Sequence, residues 1–243
     1  MNLNGILIID KPADWTSHDV VAKLRGALRI KCIGHGGTLD PMATGVLPIF
    51  IGTATRQANS STDADKEYIA GLKLGVVTDT QDITGNVLRE SEVSVTQDDI
   101  NAILPNFTGP QKQIPPMYSA KRQNGKKLYE LARKGIEVER EPRDITIKVL
   151  ELLKHVTGGR NPCEGEGFVN SHVLRVKCSK GTYVRTLCHD IGAALGCGGT
   201  MSSLRRTMSG VYNIQNAHTL DDVLGAISNG EIEKLMFEVY QNG

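Results

Sequence analysis

The chain has 243 residues, of which 40% are apolar and 23% charged, and a net charge of +1. That length suits one large domain or two lobes on a shared core, and the composition is that of an ordinary globular protein. The near-zero charge excludes a global basic or acidic field, so any polyanion site must be a local patch. Five cysteines, at 32, 163, 178, 188 and 197, are odd in number and form no CxxC pair. This argues against a disulfide framework and a zinc knuckle and for reduced thiols in the cytoplasm. The apolar run in MNLNGILIIDKP is too short for a signal peptide and lacks a basic n-region, and no stretch approaches the roughly 20 apolar residues of a membrane span.

In chain order, GILIIDKP reads as a buried strand stopped by Lys11-Pro12. Thr16 and Asp19 have capping-box spacing ahead of an apolar stripe of Val20, Val21, Leu24, Ala27 and Leu28, which predicts a helix. VLPIFIG is a buried segment interrupted by Pro48. Lys66 to Asp79 alternates as a strand, and 80–95 is polar and turn-rich. Thr96 and Asp99 repeat the capping box before Ile100, Ile103 and Leu104, with Pro105 ending that helix. LYELARKG is a short helix closed by Gly135, DITIKVLEL a half-buried strand, GGRNPCEGEG a loop and SHVLRVKCS another strand. SKGTYVRTLCHDIGAALG turns into a helix with Val184, Leu187, Ile191 and Leu195 inward and Gly196 at its end; one or two acidic helices follow from Thr219. Strands and helices mix without strict alternation, which predicts an α+β fold with a mostly antiparallel sheet.

The stretch GHGGTLDPMATGVLPI, 34–49, is the densest in chemistry. It is not a dinucleotide fingerprint, because Leu39 holds the third glycine position, and it lacks the Gly-Lys-Ser/Thr of a phosphate-binding P-loop. No GxSxG or HExxH occurs elsewhere. Two readings of His35, Thr38 and Asp40 stay open. Asp-Pro is a common turn that caps backbone amides; equally, three glycines let a loop built around one carboxylate approach a ligand closely.

These residues resemble the signature loop of the TruB family, the tRNA pseudouridine-55 synthases. DKPADWTSHDVV, KEYIAGLKLGVVTDTQDITG, PPMYSAKRQNGKKLYELARKG, SKGTYVRTLCHDIGAALGCG and LRR at 204–206 match family segments in the same order, from about residue 5 to residue 220. The resemblance implies the pseudouridine synthase fold and a cofactor-free, metal-free isomerisation of uridine in the T-arm of tRNA. It makes Asp40 the catalytic carboxylate. It pairs Arg185 with Asp40 as a fixed cation, and it stacks Tyr68 on the extruded base. It assigns Tyr183 and Leu204 to the pocket, His35 to the space the base vacates, and Lys11 to the edge of the site, holding the Tyr68 strand or a phosphate.

Lys121, Arg122, Lys126, Lys127, Arg133 and Lys134, split by a Gln123-Asn124-Gly125 turn, become an RNA-gripping loop, with Arg205-Arg206 as a second basic group. Outside the resemblance each has a plainer reading: a surface arginine, a core tyrosine or leucine, a solvated helix edge. Gly36 stands where the family usually has Thr or Ser, which implies a looser loop. The chain is expected to be a single catalytic domain over 1–243 with a short helical tail, without the family's C-terminal PUA domain, monomeric and cytoplasmic. A guide-RNA-dependent synthase of the same superfamily and an inactive RNA-binding or tRNA-folding module are the alternatives.

Overall fold

The computed structural model describes residues 3–119, 121–123, 125–153 and 171–237, so the loop expected at 158–167 lies outside the described residues. The elements in order are β1 (Gly5–Lys11), α1 (Ser17–Leu28), β2 (Ile33–His35), β3 (Thr44–Ile51), α2 (Ala58–Asp63), β4 (Lys66–Leu74), β5 (Val76–Thr78), β6 (Val87–Glu90), α3 (Gln97–Ile103) and β7 (Gly109–Gln113). They continue with β8 (Arg122–Gln123), β9 (Lys126–Lys127), α4 (Leu128–Ala132), β10 (Arg143–Leu153), β11 (Ser171–Cys178), α5 (Val184–Ala194), β12 (Gly199–Ser209), β13 (Tyr212–Asn213), β14 (His218–Thr219) and α6 (Leu220–Ser228). Antiparallel pairs outnumber parallel ones, and the expected α+β class holds. Two compact units divide the chain: residues 1–68 with 204–243, and residues 69–203.

In the first unit β1 pairs antiparallel with β3 over its whole length and parallel with β14, and β3 pairs with β2 and, in parallel, with β12. Both faces of β1 are covered, which is why it reads as an unbroken apolar run. Leu7 and Ile9 point to one side, with Leu47, Ile49, Val20, Val21, Leu24, Leu220, Val223 and Ile232. Ile6 and Ile8 point to the other, with Val46, Phe50 and Tyr212. The α1 capping box forms as expected: Thr16 Oγ1 accepts the Asp19 amide at 3.0 Å and Asp19 Oδ2 accepts the Thr16 amide at 2.9 Å. Such a cap contributes about 1 kcal/mol. Ala27 departs from the predicted buried stripe; it is exposed, on the rim of an open groove beside Leu224 and Ile227 of α6. Pro48 does not interrupt β3, which runs through it opposite Ile8.

In the second unit β10 pairs antiparallel with β11 and β7, and β4 lies next to β11. The expected single strand from Lys66 to Asp79 is broken after Leu74. Gly75 has φ +83°, and a side chain there would meet the Ser91 carbonyl oxygen at 2.7 Å. The polar stretch 80–95 contains β6, which pairs with β5. The second capping box, Thr96 with Asp99, forms at the start of α3, and α4 closes at Gly135 as expected.

Candidate active site

Asp40 lies in the loop between β2 and β3, and that loop is pinned at every second residue. The Gly37 carbonyl accepts from Arg206 Nη2 at 3.2 Å. The Leu39 amide donates to the buried Ser17 hydroxyl at 2.9 Å. The Pro41 carbonyl accepts from Lys11 Nζ at 3.1 Å and from the Asp14 amide at 2.9 Å. The Ala43 amide returns to the Asp40 carbonyl at 3.0 Å. Leu39 and Ala43 are buried, whereas Thr38 is exposed and Asp40 half-exposed. The backbone is thus fixed from beneath while the Asp40 side chain stands between the pins.

Gly36 does not loosen this loop. Its amide donates to the Pro48 carbonyl at 2.9 Å, and a Cβ there would stand 2.4 Å from Ser61 Oγ and 2.8 Å from the Phe50 ring. The glycine is required for space. Ser61 belongs to α2, whose last carbonyls are bound by buried Lys66: Ser61 O at 3.2 Å, Thr62 O at 2.5 Å and Ala64 O at 2.6 Å.

Lys11 is fully buried and spends its protons on the carbonyls of Pro12 (2.8 Å), Trp15 (2.6 Å) and Pro41. This corrects the expectation that it holds a phosphate or the Tyr68 strand: no proton is left over, and the loop it holds is that of Asp40. Burial pushes its pKa down to about 8, against the opposing pull of the Asp14 and Asp40 carboxylates.

Arg206 is also not the RNA-facing group expected from LRR. It is 1% exposed, with Nε donating to the Val46 carbonyl at 2.7 Å and a hydrogen bond to the Tyr68 side chain. Its neighbour Arg205 is clamped by Asp10, with Nη2–Oδ2 at 2.7 Å and Nη1–Oδ1 at 3.1 Å. Tyr68 and Leu204 are both buried, at 9% and 8% exposure. His35 is half-buried; burial first, then the Arg206 charge, lower its pKa, so its imidazole is neutral at pH 7.

The second unit holds Arg185 and Tyr183. Arg185, in the first turn of α5, is buried 3.5 Å from the Asp82 carboxylate, itself buried. Asp82 was not singled out in the sequence. Its other oxygen accepts from Thr80 Oγ1 at 2.9 Å, the Thr84 amide at 3.0 Å and Thr84 Oγ1 at 2.5 Å, so the segment 78–85 is a cradle for one carboxylate. Thr186 adds a bond to the Gln81 side chain at 2.7 Å. Gln113 grips Tyr183 by both backbone groups, at 2.8 and 3.0 Å. The Tyr183 ring lies 5.8 Å from the Arg185 guanidinium and 6.0 Å from that of Arg143.

Arg122 and Lys127 are register partners along the backbone of the short hairpin β8–β9, where the basic turn is expected; Lys126 is exposed, and Lys121 reaches the Glu141 carbonyl at 3.5 Å.

A glycine-bearing loop around one carboxylate, on a mixed sheet, is matched by the sequence profile of the TruB family pseudouridylate synthase N-terminal domain over residues 25–184. The profile of the tRNA pseudouridylate synthase B C-terminal domain matches residues 185–239. The fold class is therefore that of the pseudouridylate synthases. Within it, the chain belongs to the TruB family.

Relatives named tRNA pseudouridine synthase B support this. That of Alkaliphilus oremlandii (strain OhILAs) is 49% identical over 94% of this chain and 72% of its own length. That of Opitutus terrae is 46% identical over 98% of this chain and 94% of its own. Among solved structures, a Cbf5-Nop10-Gar1 complex contains a chain 31% identical with a TM-score of 0.72; the match covers 96% of this chain but only 59% of that one.

Proposed function

We infer that the protein is an enzyme that isomerises uridine to pseudouridine in tRNA, at the T-arm, without a guide RNA or partner protein, as a cytoplasmic monomer. In this reaction the N1–C1′ bond breaks, the base turns over, C5 bonds to C1′, and the C5 proton leaves to solvent while N1 regains one. Asp40 is the reacting carboxylate. The observation that carries this is the loop itself: four backbone pins hold the residues around Asp40, which itself stays half-exposed. Preorganisation of that kind is what orientation catalysis requires.

The buried Lys11 charge favours the ionised carboxylate. Tyr68 offers its ring to the extruded base, worth roughly 1–3 kcal/mol of stacking, with Leu204 and the neutral His35 as further base contacts. Arg185, fixed by Asp82, and Tyr183 are assigned to the same reaction, and Lys121, Arg122, Lys126 and Lys127 to the RNA backbone. The guide-dependent alternative is disfavoured by the Opitutus terrae relative, which is named as a tRNA enzyme and is matched over 94% of its own length.

The test is tritium release from 5-tritiated uridine in an unmodified tRNA transcript, with no other macromolecule added. Wild type is expected to turn over; Asp40→Asn is expected to bind the transcript and release nothing. Equal release by both would remove Asp40 from the chemistry. Release by wild type only on addition of a guide RNA would move the protein to the other branch.

A further inference from the structure

Arg206 is among the largest fully buried side chains described, and its guanidinium reaches three places of functional weight. Nη2 holds the Gly37 carbonyl, three residues before Asp40. Nε holds the Val46 carbonyl, on the strand that leaves the loop. A third hydrogen bond goes to Tyr68. Its backbone takes part as well. Arg206 is the register partner of Gly45, and a Cβ on Gly45 would stand 2.2 Å from the Arg206 carbonyl oxygen. Gly45 has φ +101°, so the close approach and the backbone conformation both require glycine. One residue therefore grips the Asp40 loop on its entry side and its exit side, and touches the tyrosine as well.

We propose that Arg206 is a positioning residue for the isomerisation: it fixes Asp40 and Tyr68 in register with one another by tying Gly37, Val46 and the Tyr68 side chain to a single planar cation. The proposal rests on the reading of Asp40 and Tyr68 given above. A guanidinium suits the task because its donors diverge in one plane at fixed angles and its charge is permanent, whereas an ammonium presents a point charge on a flexible stem. Burying such a charge is costly, and a surface RNA contact has no need of it. Its burial also separates it from the phosphate-contacting arginines of nucleic-acid proteins, which must reach the surface.

The experiment compares wild type with Arg206→Lys and Arg206→Gln by hydrogen exchange without RNA and by tritium release from a T-arm stem-loop. Both variants are expected to fold. Exchange should rise in the peptide spanning 36–44 and stay at wild-type levels in β1. At saturating stem-loop, kcat should fall about 10- to 100-fold, the scale set by misplacing a reacting group by an ångström. KM and the salt dependence of stem-loop binding should be unchanged.

Unaltered exchange over 36–44 would overturn the proposal, and because this arm needs no turnover it does so independently of whether the protein is a synthase. A loss confined to affinity, with a shallower salt dependence, would make Arg206 an RNA contact and overturn it too. Unfolding of both variants would reduce the residue to a folding element. If wild type itself releases no tritium, the functional reading fails while the exchange arm still decides the role of Arg206 in the loop.

Discussion

A fully buried ammonium must find acceptors for all its protons, and Lys11 finds them in three carbonyls, one of them adjacent to Asp40. Its charge is retained at a cost that pH can reveal. In the fold the proton is lost near pH 8, whereas the unfolded chain keeps it to the ordinary value of 10.5. Between those values the unfolded state binds more protons, so the wild type gains stability as pH rises. Thermal melts of wild type and Lys11→Met from pH 7 to 10 should therefore show the difference moving in favour of the wild type above pH 8, and staying flat below it. A constant difference across the whole range would mean that Lys11 titrates alike in both states. At this scale the sequence showed which residues carry chemistry but not which way they face. Lys11 and Arg206 read as basic and solvent-seeking because hydropathy records a side chain's charge and not the carbonyls that can satisfy it indoors.

Between residues and whole fold, the elements written in apolar periodicity or in caps were legible: β1, α1, α3, β10, β11 and α5 stand where the pattern put them. β12 was not. Its inward positions include Thr200, Ser202 and Arg206, all buried, so its alternation carries no hydropathic contrast. The cradle at 78–85 escaped for a related reason. A run of Thr and Asp reads as a solvated turn, and the requirement that fixes it, a carboxylate for buried Arg185, lies a hundred residues further along the chain. The two groups form a buried pair, and removing one partner of such a pair typically costs 3–5 kcal/mol. Asp82→Asn is expected to lower stability by about 3 kcal/mol in urea titrations, and to slow tritium release in step with Arg185→Lys. Wild-type stability in the variant would show that the pair contributes no net free energy.

Across the whole molecule, a net charge of +1 places the burden of RNA attraction on local groups. Exposed Lys126, at the β8–β9 hairpin, is one such group, and Arg133 lies 5.3 Å over the Tyr129 ring close by. One phosphate contact adds roughly 0.7–0.9 to the slope of log affinity against log salt. Lys126→Ala should flatten the slope for a tRNA transcript by about that amount, as read by filter binding at several salt concentrations; an identical slope would place Lys126 off the RNA.

The division of the chain has a bearing on its birth. The unit containing Asp40 is assembled from residues 1–68 and 204–243, with 135 residues of the other unit threaded between. Leu7 and Ile9 are sealed by Leu220, Val223 and Ile232, partners more than two hundred positions away. At a translation speed of about 5–20 residues per second, those leading apolar strands wait on the order of tens of seconds for their cover. The inserted unit can condense meanwhile. The two segments of the first unit then close last, so the apolar strands that carry the Asp40 loop are sealed only after the residues of α6 have been made.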